Sequence, residues 1–205
     1  MSPTFEKRPY RMSARAVETA ATRERLLASA WQHFATRPYA SVRLREIAAA
    51  AQVTVQTLHI HFGAKDQLLT AAFVWWGSQE MTQRDTAPIG DLDGAVAVLF
   101  DRYETHGPAI LRMLAQEEQI PAIHQMTDAG RVYHRAWAER TFQPLLGSLR
   151  GEPRQRRLTA IVVATDLLVW KLLRQDMQLD RAAAERVVVE MARGAGGARG
   201  DGTPE

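Results

Sequence analysis

The sequence predicts an all-α protein, with an N-terminal three-helix head followed by a larger helical domain. Three observations carry that expectation. Apolar residues recur at helical spacing along most of the chain, and no segment alternates with the period of two that a half-buried strand requires. The stretch Arg43–Lys65, RLREIAAAAQVTVQTLHIHFGAK, divides into two short helices around a tight turn. No internal repeat is visible.

Residues 1–21 carry Lys7, Arg8, Arg11 and Arg15, with Pro3 and Pro9 discouraging helix. They read as a flexible basic arm able to reach phosphates or an adjacent minor groove. From about Thr22 to Thr36 a helix is expected, because Leu26, Leu27, Ala30, Trp31 and Phe34 share one face. Arg37-Pro38 ends it, since the residue before a proline avoids the helical region. Leu44–Ala50 forms the next helix, with Ile47, Ala48 and Ala51 as its apolar positions. After a turn at Ala51–Val53, a further helix runs from Thr54 to about Ile60. Thr54 suits its N-cap, because the hydroxyl can accept from a free backbone N–H of the first turn. Val53, Leu58 and Phe62 can point inward, leaving Thr54, Val55, Gln56, Thr57 and His59 facing out. Short polar side chains on one exposed face suit base edges and phosphates, the chemistry of a helix-turn-helix whose second helix enters the major groove.

Gly63 breaks that helix, and Leu68, Leu69, Ala72, Phe73 and Trp76 define another from Lys65 to about Gln83. Residues 84–94, RDTAPIGDLDG, are the clearest boundary signal in the chain. Beyond them helices are expected over 91–106, closed by Gly107-Pro108, then over 108–119 and over 122–146 with Pro144 bending or ending it. Two more are expected over 154–178 and 180–193, the last capped by Asp180 and ended by Gly194. The resulting organisation is an arm (1–21), a head (22–64), a body (65–193, with 65–83 as connecting helix) and a disordered tail (194–205, GAGGARGDGTPE).

Composition narrows the function classes. Cysteine is absent from the 205 residues, which excludes disulfides, Cys-ligated zinc and thiol catalysis and fits a reducing cytoplasm. No apolar run follows the early basic residues, so a secretory signal is not expected. The longest apolar stretch, Leu158–Trp170, contains Asp166 and is too short for a membrane span. Residues 1–65 hold ten Lys/Arg against four Asp/Glu, a balance of +6, while the remainder holds sixteen against nineteen, a balance of −3. A basic head on a slightly acidic body is what phosphate binding would require, although Arg-rich composition and solvated faces give the same numbers.

The segment Thr22–Leu69 resembles the DNA-binding domain of the TetR family of bacterial transcriptional regulators. The resemblance rests on Phe34 closing the first helix, Ile47-Ala48 in the second, Val53-Thr54 at the turn, Thr57-Leu58, His61-Phe62, and Lys65 with Leu68. It implies phosphate contacts from Lys65, His61 and Thr57, backbone clamping by Arg43 and Arg45, and base contacts from Thr54, Val55 and Gln56. Val55 can meet a thymine methyl and Gln56 an adenine edge. The chain departs from the family at three positions. Gln52 stands where the family usually has Gly, which implies a strained turn. Gln56 stands in place of Gly or Pro, and His59 in place of a phosphate-binding Tyr. These departures imply an unusual operator preference. A metal at His59 and His61 is not expected, because residues two apart point to different sides of a helix.

Leu158–Leu173 is apolar nearly all round, so a second subunit is the economical cover for whatever the chain's own core leaves exposed. Leu158, Ile161, Val162, Leu168 and Leu172 are candidates for that interface, with Ala184, Val187, Val188 and Met191 on the last helix. The resemblance implies the same homodimer, built from the last two long helices, and a pseudo-palindromic operator. It also implies a small-molecule effector pocket in the body. Tyr103 and His106, Met113 and Glu117, Tyr133, His134 and Trp137, and Asp166 with Trp170 are its candidates, as large side chains with polar tips. Core packing explains most of them equally well. Asp166 is the exception, since a carboxylate in so apolar a helix needs a ligand, an Arg or His, or a proton.

An enzyme is the competing class, suggested by Asp101, Glu104, Glu117, Glu118, His124 and His134 in a helical body. No Glu-x-x-His, HExxH, phosphate-binding glycine loop or Gly-x-Ser-x-Gly occurs, so catalysis is not expected and neither a cofactor nor a metal is called for. An architectural DNA-binding protein without an effector is the other alternative. The combined expectation is a ligand-responsive repressor released from its operator by a small molecule.

Overall fold

The computed structural model describes residues 8–194, which form helices and connecting turns without a strand. The expected tail beyond Gly194 and the first seven residues of the arm lie outside the described residues. The chain divides into two compact units between Ser78 and Gln79.

The first unit contains α1 (Arg8–Thr36), a single 3-10 turn (Tyr39–Ser41), α2 (Leu44–Ala50), α3 (Val55–Phe62) and the first part of α4 (Lys65–Arg84). α1 starts well before Thr22, so residues 8–21 of the expected arm are helical. Pro9 does not prevent this, because in the first turn its missing N–H would have no partner anyway. Leu26, Leu27, Ala30 and Phe34 of α1 are buried together with Ile47, Ala48, Leu58, Phe62, Leu68, Leu69 and Ala72. α1 is tied to the end of α2 by two bonds, Ser29 Oγ to the Ile47 carbonyl (3.0 Å) and Arg25 Nε to the Ala51 carbonyl (3.3 Å). Trp31 stacks on Trp76 at 4.1 Å between centroids, which places the unit boundary inside α4 rather than at its start.

The second unit contains the end of α4, α5 (Leu92–Leu114), α6 (Pro121–Thr141), a short α7 (Gln143–Leu146), α8 (Gly151–Ala164), α9 (Leu167–Lys171) with a π turn (Leu172–Asp176), and α10 (Arg181–Gly194). α10 packs on α5 and α8, and α6 on α5 and α8. Two expectations are corrected here. Gly107-Pro108 does not end a helix, because α5 continues through Pro108 to Leu114. Tyr103, Gly107 and Met113 are buried on either side of the proline, so packing outweighs the roughly 3 kcal/mol that an interior proline costs. Gly107 serves a different purpose: a Cβ there would lie 2.8 Å from the Trp170 ring. The expected 154–178 helix is in turn broken at Thr165-Asp166. Asp166 is half-exposed and caps α9, its carboxylate accepting from the Leu168 N–H at 2.8 Å. That cap gives the carboxylate a backbone partner at the start of α9. Asp180 caps α10 as expected, accepting from the Ala183 N–H at 2.7 Å.

Candidate functional site

In the first unit, α2, a three-residue turn and α3 form the helix-turn-helix. Gln52 in the turn has φ +58°, the left-handed conformation expected of a residue standing where Gly is usual. Thr54 caps α3: its hydroxyl accepts from the Thr57 N–H at 3.1 Å and lies 2.9 Å from the Thr57 hydroxyl. Gly63 closes the helix at φ +70°, where a Cβ would clash with the Gln67 side chain. Gln67 in turn accepts from the Ala64 N–H at 2.9 Å, so α4 begins where α3 ends.

The face of α3 follows from its period. Leu58 and Phe62 are buried, and the positions opposite them are Gln56 and Ile60, one turn apart. Gln56 is exposed, and Ile60 is 78% exposed. Beside them run exposed Val55 and His59, also one turn apart. His59 Nδ1 donates to the Gly63 carbonyl at 2.6 Å, which leaves Nε2 as the outward atom. Thr57 and His61 are half-buried on the flank, His61 with its ring 6.0 Å from Phe62. Arg43, at the N-cap of α2, and Arg45 are exposed. The exposure of Ile60 was not legible in the sequence, since its apolar type suggests core; counting 100° steps from Leu58 and Phe62 turns it outward.

Lys65 is only half-exposed. Its ammonium donates to the Tyr39 carbonyl and sits 4.1 Å over the Tyr39 ring, and burial draws its pKa below the usual lysine value. The Tyr39 hydroxyl donates to Asp66, and burial followed by that carboxylate pushes the phenol upward, so it remains a donor. Lys65 is thus braced at the head of α4 by Tyr39.

In the second unit the body candidates separate into two groups. Tyr103, Tyr133, His134 and Trp137 converge on Arg84, which ends α4 at the edge of the predicted boundary segment. Arg84 is 3% exposed. Its guanidinium lies 4.1 Å over the Trp137 ring and 5.3 Å from that of Tyr133, and it donates to His134 Nδ1. His134 Nε2 donates toward the Val162 carbonyl and lies as close to the Thr165 hydroxyl, both at 3.2 Å. Burial, and then Arg84, holds the imidazole pKa down to about 3, so the ring is neutral. The Tyr103 hydroxyl donates to the Thr165 carbonyl at 2.9 Å, and Tyr103 and Trp170 lie 6.0 Å apart. His106 Nε2 is 2.7 Å from Glu80, which also faces Arg102 at 3.4 Å. The signal for Arg84 lay in the one-turn spacing Trp76, Glu80, Arg84, which continues the apolar face of its helix.

The remaining candidates are engaged elsewhere. Glu117 is bound by Arg131 at 2.7 Å and by the Thr127 hydroxyl at 2.5 Å, and those two bonds lower its pKa. Met113 is buried outside the body's main core cluster, and the Trp170 indole donates to Glu104 at 3.3 Å. Among the interface candidates, Leu158, Ile161, Ala184 and Val188 are fully buried within their own chain, because α8 and α10 turn those faces to each other and to α5 and α6. They are not available to a partner. Leu168 (56%), Leu172 (49%) and Met191 (42%) are exposed, as is Val163, while Val162 and Val187 are half-buried. Among the described residues no cluster of His, Asp or Glu could hold a metal ion, and no helix is long and apolar enough to cross a membrane.

Residues 26–72 match the family model described as bacterial regulatory proteins, tetR family. No curated protein matches the chain. Among solved structures, it is similar to a candidate transcriptional regulator from Pseudomonas aeruginosa PAO1, with a TM-score of 0.62 and 18% identity over 88% of this chain and 91% of that one. At that identity the likeness speaks for the fold.

Proposed function

We propose that this chain, a member of the TetR family of bacterial regulators by its head at residues 26–72, is a repressor that binds a specific operator as a homodimer and is released by a small molecule. The observation that carries the reading is the exposed face of α3. Gln56 and Ile60 stand at its centre, flanked by Val55 and His59, on a helix fixed by the Thr54 cap and the Gly63 turn. Gln56 can pair with the N6 and N7 edge of adenine, and Ile60 and Val55 can meet thymine methyls. Arg43, Arg45 and Lys65 supply the phosphate contacts, joined by Thr57, His61 and the outward nitrogen of His59.

A symmetric dimer would present two α3 helices to half-sites about 34–36 Å apart or a multiple of that spacing. Exposed Leu168, Leu172, Met191 and Val163 are the apolar surface a second subunit would cover. Release requires an effector that binds the free state better than the DNA-bound state, by as much as it weakens DNA binding. The polar cluster around Arg84 is the candidate effector site of the body.

Selection of binding sites from random double-stranded DNA is the direct test. A recovered inverted repeat, followed by release from it on addition of one member of a compound library, is the expected result. Recovery of unrelated sequences with uniform affinity would leave an architectural DNA-binding protein instead.

A further inference from the structure

The charge balance around Arg84 is incomplete. Its guanidinium is buried, and its Nε, fully shielded from solvent, has no hydrogen-bond partner. Removing a charge from water costs several kcal/mol unless an opposite charge and hydrogen bonds replace the lost hydration. Here the partners are a neutral imidazole and two aromatic faces. The carboxylates on the same helix segment are committed elsewhere. Asp85 is exposed and bound by Arg140 and the Tyr133 hydroxyl. Glu80 faces Arg102 at 3.4 Å and His106 at 2.7 Å. Among the described residues, neither carboxylate pairs with Arg84.

From this we infer that Arg84 anchors an anionic effector: a small molecule with one carboxylate on a flat apolar body. A carboxylate matches the planar fork of the guanidinium and would satisfy its unpaired N–H. The rings of Trp137, Tyr133 and Tyr103 supply flat apolar faces around it. Seating the ligand requires side-chain rearrangement, and the half-exposed Tyr133 is the mobile candidate because its hydroxyl reaches only an exposed carboxylate. The inference rests on the body being the effector-binding part, and it adds the charge and shape of the ligand.

The test uses the full chain, benzoate as probe, and benzamide as its neutral isostere. Thermal shift and titration calorimetry should show stabilisation by millimolar benzoate and none by benzamide. Arg84→Met should weaken benzoate binding by about tenfold or more, the worth of one charge-assisted hydrogen bond, and Arg84→Lys should retain part of it. No stabilisation by benzoate, an equal effect of benzamide, or binding unchanged in Arg84→Met would each overturn the inference. The comparison of benzoate with benzamide needs only the native chain, so it stands even if a variant fails to fold. The operator-release assay separates the two readings. A neutral compound that releases DNA while benzoate does not bind removes the anion site alone. Arg84-dependent benzoate binding without any compound that releases DNA removes the repressor mechanism and keeps the site.

Discussion

Arg84 and Trp137 hold each other twice. The Arg84 guanidinium lies 4.1 Å over the Trp137 ring, and the Trp137 indole N–H donates to the Arg84 carbonyl at 3.2 Å. The first contact replaces part of the hydration that the cation loses, and the second satisfies a carbonyl in the last turn of α4. His134, one turn before and stacked on Trp137 at 5.9 Å, accepts from the same guanidinium. Three side chains from two helices thus form one unit, and its acid sensitivity follows from the imidazole.

His134 is held neutral to about pH 3, against an ordinary histidine value of 6.5. The unfolded chain therefore binds a proton that the folded chain refuses between those values, and stability rises with pH across that window. The contribution is fully present above about pH 6.5 and is lost as pH falls toward 3, at a limiting slope of about 1.4 kcal/mol per pH unit for one proton. Urea unfolding at a series of pH values should show this decline. His134→Gln, which cannot titrate, should flatten it by about one proton's worth; an unchanged slope would mean that the ring is protonated in the folded state.

The turn of the helix-turn-helix gives a prediction of the opposite kind. Gln52 occupies φ +58°, which costs an ordinary residue roughly 1–2 kcal/mol. Gln52→Gly relieves that cost but gives the unfolded chain more freedom, so it should leave stability within about 1 kcal/mol of the native value or raise it. Gln52→Val places a β-branched side chain in the same region and should destabilise by more. Chemical denaturation of the three chains checks the ordering, and a Val variant as stable as the Gly variant would place the turn in another conformation.

The head was largely legible in the sequence because its signals are local. Thr54 as a cap, Gly63 as a stop and Gln52 in a turn all act within a few residues, and α2 spans Leu44–Ala50 as its pattern implies. The body was less legible because its outcomes depend on distant partners. Nothing near Pro108 says that Trp170 packs onto Gly107 and keeps α5 continuous. Asp166 reads as a charge within an apolar helix, and only the break in that helix makes it a cap. Arg84 reads as a loop residue until Trp137 and His134, fifty residues away, are folded over it.

Phosphate and base contacts should separate by salt dependence. Arg45→Ala should weaken binding to all sequences alike and reduce the slope of log K against log salt by about 0.9, one released counterion. Ile60→Ala should leave that slope unchanged while relaxing preference at one or two base pairs, with a loss of discrimination on the order of 1 kcal/mol. Fluorescence anisotropy on the selected operator and on base-substituted versions, from 50 to 200 mM salt, measures both quantities. A changed slope for Ile60→Ala would assign α3 a different face toward the DNA.

The exposed apolar residues of the second unit bear on the dimer. Leu168 and Leu172 are one turn apart, about half exposed, and accompanied by exposed Val163 and Met191. Since Leu158, Ile161, Ala184 and Val188 are already covered by their own chain, truncating them would damage folding rather than assembly. Charges at Leu168 and Leu172 should do the reverse. Leu168→Glu/Leu172→Glu should keep the helical circular-dichroism spectrum and cooperative unfolding while shifting the light-scattering mass from twice the 23.0 kDa chain to once. Operator binding should then lose the gain that comes from linking two heads, falling by about 10²-fold or more. A native chain that is already monomeric, or a double variant that remains dimeric, would move the interface away from this surface.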